Sequence, residues 1–335
     1  MNAPAPKPKE RKHFQSIEGA RGIASLLVFV SHLHLSMGHW LDRYLDLGKI
    51  GVVLFFLISG FLVLPSFVSR FQVINFAIRR FFRLYPVYWL SILLAIALMP
   101  DSLAWWEYGV NVTMMQQFIG VPNAISVYWT LTIEMAFYFF LVATALVDRQ
   151  YLTNRLWVTF YALGLASVAI AALRYQTHYK LPVAMPLALH LMTYGALLRR
   201  NLEATADPLR RIRFFTLTAC LAGFVTISCM LAYSFAVKYD ENMGKYLLSY
   251  CVGILSFFLV VYKDQFLNRG LFVFLGKISY GFYVFHLPIL LACRDSISNS
   301  LLAITLALTS TIAISFLAYK YIEVPANAWG RKLTT

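Results

Sequence analysis

Charged side chains are scarce in this chain of 335 residues. They make up 13% of it, whereas soluble domains carry about 25%, and 60% of the residues are hydrophobic, with a mean hydropathy of +0.66. Acidic residues are fewer than basic ones, with 15 aspartates and glutamates against 29 lysines and arginines. The chain is also without any long polar stretch between its apolar segments. A water-soluble globular domain is therefore excluded for most of its length.

Cysteine is rare as well, and its placement excludes two kinds of site. Cys220, Cys229, Cys251 and Cys293 all fall within apolar segments and do not have the spacing of zinc ligands. A disulfide framework and a structural zinc site are therefore not predicted. We expect the four thiols to pack as small apolar groups, and we predict no bound metal.

Apolar runs long enough to cross a bilayer recur from one end of the chain to the other. Ten transmembrane helices are predicted, at residues 17–38, 48–68, 84–100, 125–147, 156–173, 183–198, 214–236, 246–262, 278–293 and 300–322. The expected fold is an all-α, polytopic helix bundle, in which each helix satisfies its own backbone hydrogen bonds. A basic tail at 1–16 and a second tail at 326–335 flank a transmembrane domain at 17–325.

The distribution of basic residues predicts the orientation. With the N-terminus inside the cell, 22 lysines and arginines lie on the cytoplasmic side and 7 on the other. Because cytoplasmic loops are enriched in these residues, both termini are predicted to be cytoplasmic. The charges are scattered over short loops rather than gathered in one patch, so we expect a lipid bilayer as partner and no nucleic acid.

Two ionisable residues lie on one face of the first predicted helix. Arg21 and His32 are eleven positions apart, which is about three turns and roughly 16 Å along the axis. Glu134 has a predicted depth similar to that of His32, so its carboxylate could hold the imidazole in one tautomer, as a general base requires. Simple packing is an equally open interpretation for His286, and it is favoured for His190.

The segment "INFAIRRFFRLYPVYWL" (74–90) carries a second basic group. Arg80 and Arg83 are three positions apart and hence neighbours on a helix. Such a pair is well suited to binding phosphate oxygens. The alternative is that these arginines, ahead of Pro86, only mark the cytoplasmic entrance of the third helix.

These segments resemble, in order and spacing, the motifs of the acyltransferase-3 family of integral membrane O-acyltransferases. The resemblance rests on "EGARGIASLLVFVSH" (18–32), "VVLFFLISGFLV" (52–63), "RRFFRLYPVYW" (79–89), "YWTLTIEMAFY" (128–138), "GKISYGFYVFHLPI" (276–289) and "YIEVP" (321–325). Any one of these motifs is weak, whereas six in order over residues 16–325 are specific.

The resemblance implies an enzyme that moves an acyl group from acyl-CoA to a hydroxyl of an envelope or exported glycan. Acetyl is the favoured group, and acetyl-CoA is a donor substrate rather than a tightly bound cofactor. It implies that His32 acts at the chemistry together with Arg21 and Glu134, and that Arg80 and Arg83 bind the donor. The expected location is a bacterial inner membrane, and we expect the stand-alone form, which has no extracytoplasmic hydrolase-like domain.

Further residues of the motifs are expected around this site, namely His286, Tyr283, Trp129 and Glu323. Two positions depart from the family pattern: Thr130 replaces the usual serine, and Met135 stands where many relatives have a second glutamate. The aromatic residues near 105, 106, 128 and 129 fit a sugar site and an interface belt equally well. The rival interpretation is a proton-coupled transporter or flippase for a glycan or small anion, which intramembrane His and Glu residues also suit.

Overall fold

The computed structural model describes residues 8–34, 38–68, 73–100, 102–147, 155–234, 242–263 and 267–334. These residues form helices and connecting turns and contain no β-strand. The helices are α1 (Pro8–His32), α2 (His39–Tyr44), α3 (Leu47–Val68), α4 (Val73–Leu98), α5 (Trp105–Asn111), α6 (Trp129–Val147), α7 (Leu156–Thr177), α8 (Ala184–Glu203), α9 (Arg210–Ala232), α10 (Met243–Tyr262), α11 (Gly270–Ser296), α12 (Ser300–Ala318) and α13 (Val324–Lys332). The all-helical class is therefore confirmed.

Each of the ten predicted apolar segments coincides with a helix, but not every one of these helices is long and apolar enough to cross a membrane. Within the described residues, seven helical segments are long and apolar enough to cross a membrane: α4, α6, α7, α9, α10, α11 and the continuous helical stretch Ser300–Lys332. In α3 the described apolar part, Leu47–Val63, is shorter. Helix α1 carries a charged N-terminal half, and α8 ends in charged residues. The count of ten spans and the location of the termini stay predictions.

The first helix differs from its predicted bounds of 17–38. It begins at Pro8 and ends at His32, so His32 lies in its last turn instead of well inside a span. Helix formation depends on local hydrogen bonds, and these continue through the charged residues before position 17. Leu33 and His34 form a turn, and residues 35–37 lie outside the described residues.

The chain folds as two compact units. The first comprises Met1–Leu33, Gln72–Met135 and Val260–Thr335, and the second comprises His34–Phe71 and Ala136–Leu259. The residues assigned to the predicted site, from Arg21 to Glu323, all belong to the first unit.

Helices α1 and α11 run side by side in the first unit. Their contacts advance together along both helices, from Gly22 with Gly276 to Phe29 with Phe282, so the two helices are parallel. A methyl group at Gly276 would overlap with the carbonyl of Glu18, which shows how closely the backbones approach. Small residues permit such approach between membrane helices.

The second unit is built around α8, which packs along α3 and against α7 and α9. A methyl group at Gly195 of α8 would overlap with the carbonyl of Leu57 in α3. His190 is fully buried in this unit, where its ring stacks on Phe160 at 4.3 Å and its Nδ1 lies 2.9 Å from the Phe160 carbonyl. These contacts agree with the packing interpretation of His190.

Candidate active site

His32 and His286 meet at the end of the α1–α11 contact. Their ring centroids are 5.2 Å apart. His32 is half-buried at the end of α1, and His286 is fully buried within α11. Phe29 packs edge-on against both Phe282 and His286. We call His32 and His286 the histidine pair.

Backbone carbonyls select the tautomers of both rings. Nδ1 of His32 lies 2.8 Å from the carbonyl of Val28, one helical turn earlier. Nδ1 of His286 lies 2.7 Å from the Tyr283 carbonyl. Because a carbonyl only accepts, each neutral ring carries its proton on Nδ1 and a lone pair on Nε2. The Nε2 of His286 is buried and has no hydrogen-bond partner within the part of the chain that the structure describes. The Nε2 atoms of both rings can therefore accept hydrogen bonds.

Arg294 secures the end of α1 beside the histidine pair. Its guanidinium donates to the carbonyls of His32 and Leu33, at 3.1 Å and 2.6 Å. The last carbonyls of a helix have no partner within the helix, and a cation at a C-terminus satisfies them and complements the helix dipole. From the sequence, Arg294 could be assigned only to the non-cytoplasmic side of the membrane. It lies about two helical turns after His286, and this spacing does not show which residues it contacts.

Arg21 lies in a separate group of charges, which we call the charge cluster. It interacts electrostatically with the carboxylates of Glu323, Glu134 and Glu18, and it is repelled by Arg83. Three negative and two positive side chains thus gather about three helical turns from His32. Glu18 was not predicted, although its position three residues before Arg21 places both on one helix face.

A π-helical turn carries Glu323 into the charge cluster. The turn spans Tyr319–Glu323 and leads directly into α13. Such turns are rare in proteins, but those that do occur are often found at functional sites, because the extra residue redirects the side chains that follow. Glu323 is 9% exposed. The "YIEVP" motif therefore delivers a carboxylate to Arg21 and Arg83.

Glu134 lies near Arg21 and the tyrosines of α11, since its charge also acts on Tyr280 and Tyr283. The contacts of His32 are with Val28, His286 and Arg294. The Val28 carbonyl thus fills the role of holding the His32 tautomer. The pairing of His32 with Glu134 stays a prediction.

The three arginines of α4 have different surroundings. Arg79 donates from Nε to the Thr334 hydroxyl at 2.8 Å and so ties α4 to the C-terminal segment. The guanidinium of Arg80 lies over the Phe76 ring, 5.2 Å from its centroid. Arg83 acts on Arg21 and Glu323. The structure thus assigns Arg79 to packing and places Arg83 in the charge cluster.

Two tyrosine hydroxyls near the charge cluster are bonded to backbone carbonyls. Tyr280 donates to Leu84 at 2.9 Å, and Tyr283 donates to Val127 at 3.1 Å and lies 2.8 Å from the Thr130 hydroxyl. Thr130 thus does what a serine could do at this position, which accounts for the departure from the motif.

The surroundings of Trp129 and Tyr128 bear on whether these aromatic residues can bind a sugar. Trp129 is half-buried at the first position of α6. Tyr128 is fully buried and bonded to Ser91, so its ring is not exposed for stacking on a sugar. Within the described residues, no three His, Cys, Asp or Glu side chains are close enough together to hold a metal ion.

The family of this chain follows from a direct comparison. The model of the acyltransferase domain in the acyltransferase-3 family matches residues 14–320. This chain belongs to that family. The match includes both the histidine pair and most of the charge cluster. No solved structure gives a significant match.

Two relatives are similar to nearly the whole chain, and a third is similar to less than half of it. The peptidoglycan O-acetyltransferase OatA of Listeria monocytogenes is 26% identical over 96% of this chain and 57% of its own length. A candidate O-acetyltransferase of Staphylococcus aureus is 21% identical over 97% of the chain and 59% of its own length. Acyltransferase MdmB of Streptomyces mycarofaciens is 28% identical over 46% of the chain. The chain thus spans less than two thirds of the length of the first two relatives.

Replacing Arg294 with methionine is expected to lower the turnover number about tenfold while leaving the KM for the donor nearly unchanged. The reason is that the end of α1 loses two charge-assisted hydrogen bonds and His32 becomes less precisely held. Steady-state kinetics of the purified variant would measure both constants. Arg294→Lys, which can still donate to one carbonyl, should recover part of the loss. A donor KM that rises while turnover stays constant would contradict this positioning role.

Proposed function

We propose that this protein transfers an acyl group, with acetyl favoured, from acyl-CoA to a hydroxyl group of an envelope or exported glycan. The observation that carries the proposal is the histidine pair, in which a backbone bond leaves the Nε2 of His32 as the basic atom. Membership in the acyltransferase-3 family supports the acyl transfer. The name of the Listeria relative, a peptidoglycan O-acetyltransferase, supports a glycan acceptor.

His32 is the proposed general base. Its Nε2 takes the proton of the acceptor hydroxyl as the hydroxyl oxygen attacks the thioester carbonyl. The new C–O bond forms, the C–S bond breaks, and the imidazolium returns the proton to the CoA thiolate. The buried Nε2 of His286 can accept a second hydrogen bond from the acceptor. A covalent acyl-His32 intermediate is the alternative, and its ping-pong kinetics would distinguish it from direct transfer.

The proposed orientation places both termini in the cytoplasm of a bacterium, with the protein in its inner membrane. The donor then approaches from the side of the α4 arginines, and Arg80 and Arg83 bind its phosphates. The pantetheine arm is long and thin, so it could extend between helices toward the histidine pair. Trp89 and Trp105 line a cavity of about 470 Å³ that could receive part of the acceptor.

Alanine variants of Arg80 and Arg83 are each expected to weaken donor binding about 10- to 100-fold. Each loses charge-assisted contacts to phosphate, which contribute roughly 1.5–3 kcal/mol. Titration calorimetry with acetyl-CoA in nanodiscs would measure the affinity at two salt concentrations, and the difference from the unchanged protein should shrink at high salt.

Arg79→Ala is the matched control, because it removes the same charge one helical turn before Arg83 on α4 and breaks the hydrogen bonds with Thr334. We expect it to lower thermal stability and to leave donor affinity unchanged. If Arg83→Ala lowers stability without changing donor affinity, Arg83 is only a structural partner of Glu323.

Radiolabelled acetyl-CoA and a chitooligosaccharide or peptidoglycan-fragment acceptor would test the function itself. Purified protein should move the label to the oligosaccharide and release free CoA in equal amount. A transporter or flippase would move an intact substrate across proteoliposomes and would leave the thioester unchanged. Accumulation of intact solute without thioester cleavage would therefore support the rival function.

A further inference from the structure

A cavity of about 660 Å³ opens in the second unit, where the beginning of α7, the end of α8 and the beginning of α9 meet. It is lined by aromatic rings from α7, by Arg200 and Asn201 of α8, and by Arg213 of α9. Helices α7 and α9 are both long and apolar enough to cross a membrane. Because the cavity lies at their ends, it faces the interface between hydrocarbon and water.

Positive charge is concentrated at this cavity. The guanidinium groups of Arg200 and Arg213 are close enough to repel each other. Arg213 pairs with Asp207 at 2.8 Å, and hydrogen bonds from the Leu209 backbone and from Arg213 lower the pKa of that carboxyl group. Among the described side chains, no carboxylate lies within ion-pair distance of Arg200. One positive charge is thus left over for an anion that bridges the two arginines.

Asn201 supplies a second, independent feature of a binding site. Asn201 is 4% exposed, and its side-chain amide donates to the carbonyl of Arg210 at 3.2 Å, but among the described residues its Oδ1 has no hydrogen-bond partner. A buried acceptor without a donor costs free energy, and native proteins seldom leave one unsatisfied. Because Asn201 lines the cavity, a hydrogen-bond donor next to the anionic group of a ligand would satisfy this oxygen.

The rim of the cavity is apolar. Trp157 is 53% exposed, Leu209 56% and Ile212 64%. Exposed apolar side chains beside paired arginines match a molecule with an anionic head and hydrocarbon chains, and basic pockets between membrane helices are suited to such lipids. A soluble phosphate compound would leave this rim uncovered.

We propose that this cavity binds the headgroup of an anionic glycerophospholipid. The phosphate bridges Arg200 and Arg213, a headgroup hydroxyl donates to Oδ1 of Asn201, and the acyl chains lie along Trp157 and Ile212. The site belongs to the second unit alone, so the proposal is independent of the catalytic function argued above.

Native mass spectrometry of the detergent-purified protein, titrated with phosphatidylglycerol, tests the proposal. Arg200→Ala and Arg213→Ala should each lower the apparent affinity of the first bound lipid about tenfold. Arg211→Ala is the matched control, because Arg211 is exposed on the same helix as Arg213 but does not line the cavity. It should bind as the unchanged protein does. Equal binding by all three variants would show that the lipid only coats the surface and would overturn the proposal.

Two competitors separate a lipid from a soluble ligand. Phosphatidylcholine carries the same phosphate but no net charge and no headgroup donor, so it should bind more weakly and lose little affinity in the arginine variants. Inorganic phosphate and CoA should not displace bound phosphatidylglycerol at millimolar concentration. Displacement by CoA, with the same arginine dependence, would assign the cavity to a soluble phosphate ester and would reject the lipid.

Discussion

His32→Ala is expected to abolish acyl transfer while the protein still inserts and folds. A positioned general base contributes about 10²–10⁴-fold to a rate, and a covalent acyl-His32 pathway would lose all activity. The fold should persist because His32 is half-buried at the end of α1, and the contact of Phe29 with Phe282 does not depend on it. Initial rates with radiolabelled acetyl-CoA and an oligosaccharide acceptor, together with thermal unfolding, would measure the two effects separately.

His34→Asn is the matched control for this variant. His34 is exposed two residues after His32 and has a positive φ of 51°, a conformation that asparagine tolerates. It should keep nearly full activity. Substantial product from a well-folded His32→Ala protein would remove His32 from the chemistry, and equal loss in both variants would point to a damaged helix end instead.

Arg21→Ala is expected to destabilise the protein strongly, with loss of activity as a consequence. Without Arg21, the carboxylates of Glu18, Glu134 and Glu323 lose one of the two cations of the charge cluster in an interior of low polarity. A buried charge left without its partner costs about 3–5 kcal/mol, and the loss here should be smaller because Arg83 remains. Thermal unfolding of the purified protein in detergent would show the effect as a large fall in melting temperature.

A double variant makes the Arg21 prediction specific. Arg21→Ala combined with Glu134→Gln removes one of the uncompensated charges, so it should recover part of the lost stability. Arg331→Ala, which removes an exposed arginine, should leave stability within about 0.5 kcal/mol of the starting protein. An Arg21→Ala protein as stable as Arg331→Ala would mean that the carboxylates do not depend on Arg21.

Hydropathy located the helices but not their ends. It marks only the part of a helix that tolerates lipid, whereas helical hydrogen bonding continues into charged residues. Helix α11 therefore spans Gly270–Ser296, while the apolar pattern predicted 278–293. The same limit explains why α1 begins at Pro8, ahead of its apolar stretch.

The candidate site was predictable where it depends on a single helix. The spacing of Arg21 and His32 places them on one face of α1, and this does not depend on which helix packs beside α1. The partner of His32 depends on which distant helix packs there, and periodicity contains no information on that choice. His286 beside His32, and Arg294 on the α1 carbonyls, thus emerge only from the packing of α11. The hydrogen bond between His32 and the Val28 carbonyl was not predicted either, because every residue has a backbone carbonyl and the sequence does not show which one a side chain contacts.

Transfer through the membrane can be measured in sealed vesicles with acetyl-CoA on one face and an oligosaccharide acceptor on the other. We propose that the donor binds at the cytoplasmic arginines of α4 and that the acceptor is modified from the opposite side at the histidine pair. Acetylated product is therefore expected in inverted vesicles that receive acetyl-CoA outside and hold acceptor in the lumen. Product that forms only when both substrates share the cytoplasmic face would contradict transfer through the membrane.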